Sequence, residues 1–189
     1  SASASAQIFL FSVHSPPRGT TLYNLRPLFD EFMKTDFWTF CASVQKMCSV
    51  QPTSFVRVED FLTPEEIERD PARVMLREFG IGAHLCTAIP MPTGELTTFV
   101  FQKWMKDGSY GQDEINRLDA LRPHLARASL VAGRLGVERA DATSSALALM
   151  GLPAAVLSSS GRVMAANPHL ERMDVAFLPV AFGGLAIAD

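Results

Sequence analysis

Apolar and polar positions follow three different rhythms along this chain. Residues 6–13 (AQIFLFSV) are a dense apolar run of β-formers. Ser15-Pro16-Pro17-Arg18-Gly19 breaks the run as a turn, and Thr20-Thr21-Leu22-Tyr23 returns, so the segment reads as a hairpin. From Pro27 the rhythm changes. Leu28, Phe29, Phe32, Met33 and Trp38 recur at helical spacing and predict an early helix that also carries Phe37 and Phe40. Residues 41–51 read as a helix end and a loop.

Phe55-Val56-Arg57-Val58 predicts a short strand. Thr63, Pro64 and Glu66 have the spacing of a capping box with proline at the first helical position. Asp70-Pro71 opens another helix that runs through Arg73 to Phe79, with Gly80 and Gly82 as its stop. The clearest β signal follows. His84 to Pro90 is one strand, Pro92-Thr93-Gly94-Glu95 a turn, and Leu96 to Trp104 the returning strand, closed by Lys106-Asp107-Gly108.

A long helix is predicted over 112–150. Leu118, Leu121, Leu125, Ala128, Ala132 and Leu135 step by 3, 4, 3, 4, 3, which is the seam of a coiled coil. Arg139 interrupts the seam, and Ala142, Ala146 and Leu149 resume it. Over residues 118–128 the stripe suits either packing on the chain's own sheet or pairing with a second copy. Beyond Leu135 a homodimer is the better reading, since a helix that long outruns its domain. Pro123 predicts a kink or a boundary nearby. After Gly151-Leu152-Pro153 come a strand (Ala154–Leu157), a turn (Ser158–Gly161), a strand (Arg162–Ala166) and a short helix capped by Asn167 with Pro168 first. The organisation is thus one unit at 1–111, a connecting and dimerisation helix at 112–150, and an incomplete second unit at 151–189.

The composition excludes several classes. Of 189 residues, 48% are hydrophobic and 20% charged, which is ordinary for a globular protein. A net charge of −3 makes nucleic acid a poor direct partner. No apolar run reaches the ~20 residues of a bilayer span, so no membrane is expected. Cys41, Cys48 and Cys86 are an odd set without framework spacing, read as reduced thiols in the cytoplasm. The missing initiator Met and the strand-like Leu185-Ala186-Ile187-Ala188 at the end lead us to expect a piece of a longer chain.

Two stretches resemble a known family. FGIGAHLCTAIPMPTGELTTFVFQKW and QDEINRLDALRPHLARASLVAGRL, between Phe79 and Leu135, resemble the end of a GAF-like domain in LuxR-type bacterial transcriptional regulators. GLPAAVLSSSGRVMAANPHLERM at 151–173 resembles the opening of a PAS-like domain. The resemblance implies an α+β fold, an antiparallel sheet with flanking helices and a small-molecule site between them. It also implies a C-terminal helix-turn-helix domain, absent from this chain, as the only route to DNA. Lactone sensors of the family carry spaced Trp and Tyr before an Asp-Pro pair. Here Phe29, Phe32 and Asp36-Phe37-Trp38 occupy the comparable stretch, which argues against a lactone.

Little else points to chemistry. His14, His84, His124 and His169 are scattered, and none pairs with Cys, Glu or another His at metal-ligand spacing. Phosphate loops and nucleophile elbows are missing, so neither a metal, a cofactor nor an enzyme is expected. The aromatic residues give the best site clue. Phe37, Trp38 and Phe40 on the early helix and Phe99 and Phe101 on a strand suit an apolar pocket for an unidentified effector, or else plain core. Period two puts Trp104 on the other face from Phe99 and Phe101. His84, Thr87 and Thr98 are candidate polar partners. The expected function is the ligand-sensing, dimerising region of a LuxR-type regulator. The alternatives are a GAF/PAS sensor from a histidine kinase or cyclic-dinucleotide enzyme, or a free-standing binding domain.

Overall fold

The computed structural model describes residues 5–11, 17–21, 25–158 and 161–173, with the backbone alone at Phe177–Val180 and Gly184–Ile187. His14, the Ser15-Pro16 part of the first predicted turn, Leu22-Tyr23 and the middle of the Ser158–Gly161 turn lie outside the described residues. In chain order the elements are β1 (Ser5–Phe11), β2 (Arg18–Thr21), α1 (Arg26–Lys34), α2 (Ala42–Val50) and β3 (Val56–Arg57). Then come α3 (Pro64–Arg69), α4 (Pro71–Glu78), β4 (Ile81–Pro90), β5 (Leu96–Trp104) and α5 (Gln112–Leu149). The chain closes with β6 (Ala155–Leu157), β7 (Val163–Ala166), α6 (Pro168–Glu171), β8 (Phe177–Val180) and β9 (Gly184–Ile187). They form two compact units, and the division falls inside α5, between Ala126 and Arg127.

The first unit is built on an antiparallel sheet of order β2-β1-β5-β4-β3. The strong β signal of the sequence becomes the central pair, with His84 opposite Gln102 and Cys86 opposite Val100. One face carries Phe9, Phe11, Cys86 and Ala88, packed with Phe29 of α1, Val44 and Met47 of α2 and Ala72 of α4. The other face takes the start of α5. Arg122 donates from Nε to Thr87 Oγ1 (2.8 Å) and from Nη2 to the Ala88 carbonyl (2.9 Å). The Asp119 carboxylate accepts from the Phe55 N–H, and buried Lys103 donates to Glu114 Oε2 at 2.7 Å. The long β4–β5 strands are therefore buried on both faces, which is why they read as nearly continuous apolar runs.

The helix caps form as the sequence predicts. Thr63 and Glu66 make a complete capping box, and Asp70 caps α4 through the Arg73 N–H. Gly80 ends α4 with φ +80°, a conformation that costs glycine little. Gly82 sits where the register slips between Ile81 and Ala83, and a Cβ there would stand 2.8 Å from the Met105 Cα. That bulge turns Ile81 to the face of His84 and packs it with Leu25 and Leu28.

Three expectations are corrected. The early helix stops at Lys34, and Phe37–Thr39 is a separate 3-10 turn ending at Phe40. Residues 41–51 are not loop; Ala42–Val50 is α2, with Val44 and Met47 buried. Pro123 neither ends nor splits α5, which continues through it.

The second unit holds the rest of α5, the antiparallel β6–β7 hairpin and α6. Buried Asn167 organises it. Its Nδ2 donates to the carbonyls of Leu152 (2.8 Å) and Ser144 of α5 (3.2 Å). Its Oδ1 accepts from the N–H groups of Ala154 and Leu170, both at 3.1 Å. One amide thus caps α6 and ties the hairpin to α5. Asn167→Ala leaves these groups without partners at a cost of roughly 2–4 kcal/mol. Hydrogen exchange should show lost protection at Ala154 and Leu170, with the β4–β5 amides unaffected.

Candidate ligand cavity

A cavity of about 90 Å³ lies in the first unit, on the helix side of the sheet. Strand alternation supplies its floor. Gln7, Phe9 and Phe11 of β1, Val100 and Gln102 of β5, and His84 and Cys86 of β4 share one face by register. Leu28 and Phe32 of α1, Val44 and Met47 of α2, and Ala72 and Leu76 of α4 roof it. Most of this wall is apolar, as in small-molecule sites generally.

One corner is polar. Arg73, His84 and Gln102 are each at least nine-tenths buried. The Arg73 guanidinium donates through Nη1 to His84 Nδ1 at 3.1 Å and through Nη2 to Glu59 Oε1 at 2.7 Å. Arginine has no acceptor, so His84 Nδ1 accepts and the neutral ring carries its proton on Nε2. Burial, and then the charge of Arg73, pushes the His84 pKa down to about 3. Among the described residues, Arg73 Nε, His84 Nε2 and Gln102 Oε1 of this wall find no partner, nor does Oε2 of Glu59 beside it. Buried polar atoms normally have partners, so the three orphans that border this cavity single it out as the candidate site. The position of Arg73 strengthens the point. It sits in the first turn of α4, where the helix dipole disfavours a cation.

Among the sequence candidates, the structure places His84 in this wall. Phe37 and Trp38 pack half-buried against the adjoining core, and Phe40 is 55% exposed. Phe99 and Phe101 face the opposite side of the sheet, where Phe101 meets Phe55 edge-on at 5.5 Å. They are not brought to the cavity, because Val100 and Gln102 occupy its face of β5. Trp104 shares that face, packing with Ile81. Thr98 also lies on it and donates to Met47 Sδ at 3.3 Å. Thr87 lies on the α5 side, donating to the Pro52 carbonyl.

Arg73 and Gln102 escape sequence reasoning. Their signal is faint: polar residues at period two in apolar strands, and an arginine just after a helix cap. The Asp-Pro pair of the lactone sensors has a literal match at Asp70-Pro71 rather than at Asp36-Phe37. Both Asp70 oxygens are used on backbone, accepting from the N–H groups of Arg73 (3.1 Å) and Ser43 (2.8 Å). Burial disfavours the thiolate form of all three cysteines. Burial pushes Cys41 and Cys86 up to about 12 and Cys48 up to about 11.

The seam residues of α5 have their own pattern. Leu118 and Leu125 are half-buried, whereas Leu121, Ala128, Ala132 and Leu135 are exposed. Ile115, Ser129, Ala140 and Ser144 are the buried positions. Among the described residues, no group of three or more His, Cys, Asp or Glu stands close enough to hold a metal ion. Nor is any helix long and apolar enough to cross a membrane.

No family model and no curated relative matches the sequence. Solved structures do. The LBD domain of VqsR from Pseudomonas aeruginosa matches with a TM-score of 0.53 at 11% identity, over 66% of this chain and 74% of that one. CepR2 from Burkholderia cenocepacia is described as an N-acylhomoserine lactone dependent LuxR family transcription factor. It matches with a TM-score of 0.50 at 18% identity, over 68% of this chain and 75% of that one. A GAF domain/HD domain protein from Geobacter sulfurreducens gives 0.45 at 15% identity, over 67% and 80%. The first two likenesses establish a shared α+β fold.

The buried imidazole makes stability depend on pH. Between pH 6.5 and about 3 the unfolded chain binds a proton at His84 that the folded chain does not. This contribution is therefore fully present above pH 6.5 and is lost as the pH falls, by roughly 4–5 kcal/mol in all. Urea titrations across that range should show the loss, and His84→Leu should flatten it.

Proposed function

We propose that this chain is the sensory region of a LuxR-type transcriptional regulator. It binds a small effector in the cavity, pairs with a second copy along α5, and controls a DNA-binding domain outside this chain. It is a binding module and not an enzyme. The observation that carries the reading is the apolar cavity with its unpartnered polar corner, set in a fold shared with VqsR and CepR2. Its effector is not assigned from CepR2, since the Trp and Tyr set of lactone sensors is missing here.

Strand β4 offers the coupling. His84 and Cys86 face the cavity, while Thr87, one residue on from Cys86, and the Ala88 carbonyl hold Arg122 of α5. An effector that moves β4 changes the footing of α5. It can shift the balance between two helix arrangements only by its differential affinity for them. The exposed stripe through Leu121, Ala128, Ala132 and Leu135 supports a helix-to-helix pairing, because its 3-4 spacing is that of a dimer seam.

Sedimentation of this chain at tens of micromolar should report a dimer. Leu135→Glu should weaken it at least about tenfold by placing an unpaired charge in the seam. A wild-type chain that stays monomeric sinks the dimer. Bound effector should alter hydrogen exchange along 112–149, and Arg122→Ala should mute that change. Unchanged exchange at saturation would remove the coupling.

A further inference from the structure

We infer that the cavity takes an uncharged short-chain alcohol of about four non-hydrogen atoms, its hydroxyl accepting from His84 Nε2 and donating to Gln102 Oε1. This rests on the reading of the cavity as a ligand site and names the ligand's class.

Charge is settled before a ligand enters. The Arg73 guanidinium donates through Nη2 to Glu59 Oε1 at 2.7 Å, and Nε on the same edge and Oε2 of the same carboxylate are buried as well. The two side chains neutralise each other, so the corner has no net charge for an ion to balance. A charged ligand would lose its water there without gaining a counter-charge, which is costly. Two further wall atoms have no partner among the described residues, and they are opposite in kind. His84 Nε2 is a donor, because Nδ1 accepts from Arg73 Nη1. Gln102 Oε1 is an acceptor. Both residues are more than nine-tenths buried, and they stand directly opposite in the β4–β5 ladder. A hydroxyl both accepts and donates, whereas a carbonyl oxygen only accepts. Volume sets the rest. An engineered cavity of about 150 Å³ accepts benzene with its six carbons. In the same proportion, a cavity of about 90 Å³ holds about four non-hydrogen atoms. A water fills the polar corner but has no polar partner toward Phe9, Phe11, Leu28 and Met47. The hydrocarbon part of an alcohol packs against that wall while its hydroxyl takes the place of the water.

The test is an NMR titration of the wild-type chain with 2-propanol, acetone and acetate, which share one branched shape, and with xenon as the apolar probe. So few atoms limit affinity to about tens of micromolar at best, and the titrations therefore run through the millimolar range. The alcohol should shift the β4 and β5 amides beside the cavity and bind about fivefold more tightly than acetone. Acetate should bind at least about tenfold more weakly than the alcohol. Gln102→Met should remove the alcohol's advantage over acetone. Hydration of the probes is common to both chains, so that change isolates the Gln102 contact. Should the variant fail to fold, the wild-type order of the probes still decides. Acetone or acetate binding as well as the alcohol, or better, overturns the hydroxyl and leaves the cavity as a ligand site. Binding of xenon alone does the same. No binding of any probe, xenon included, overturns the cavity reading and this inference with it.

Discussion

The pairing of β4 with β5 is the interaction on which the first unit depends. These strands sit in the middle of the sheet, with β1 and β3 on their outer edges, and most of their residues are buried on both faces. Period two then divides their side chains without remainder. His84, Cys86, Ala88, Val100 and Gln102 go to the helix layer, and Leu85, Thr87, Phe99, Phe101 and Lys103 to the side of α5. A slip of one residue would exchange the two sets. The cavity and the α5 anchor are thus consequences of one register, carried on opposite faces of the same strand.

Most of that burial is apolar, and each fully buried Leu or Phe contributes on the order of 1.5–3 kcal/mol. The exceptions are informative because burying polar groups is costly. Lys103 is compensated by Glu114 and by the Tyr110 ring 4.6 Å away. Arg122 has two acceptors on β4. Arg73, His84 and Gln102 are compensated only in part. The Lys103 and Arg122 contacts tie α5 to the sheet, whereas Arg73, His84 and Gln102 border a cavity.

Much of the fold was legible in advance. The capping box at Thr63, the Asp70 and Asn167 caps and the β4–β5 hairpin follow from short-range rules that act within a few residues. The early helix was overextended because Trp38 continues an apolar series that the backbone does not follow past Lys34. Helix α2 was missed because ASVQKMCSV buries little beyond Val44 and Met47 and has a weak apolar stripe.

The sequence by itself determined the secondary elements, their caps and the partition of each strand into two faces, since these depend on local sterics and periodicity. It did not determine which face of β5 would border the cavity. Phe99 and Phe101 are the more conspicuous pair, yet Val100 and Gln102 took that position once β1, β4 and the bulge at Gly82 set the orientation. Nor could it bring Arg73 and Glu59, fourteen residues apart, to His84. Alternation fixes which residues share a face; only packing against other elements decides what that face meets.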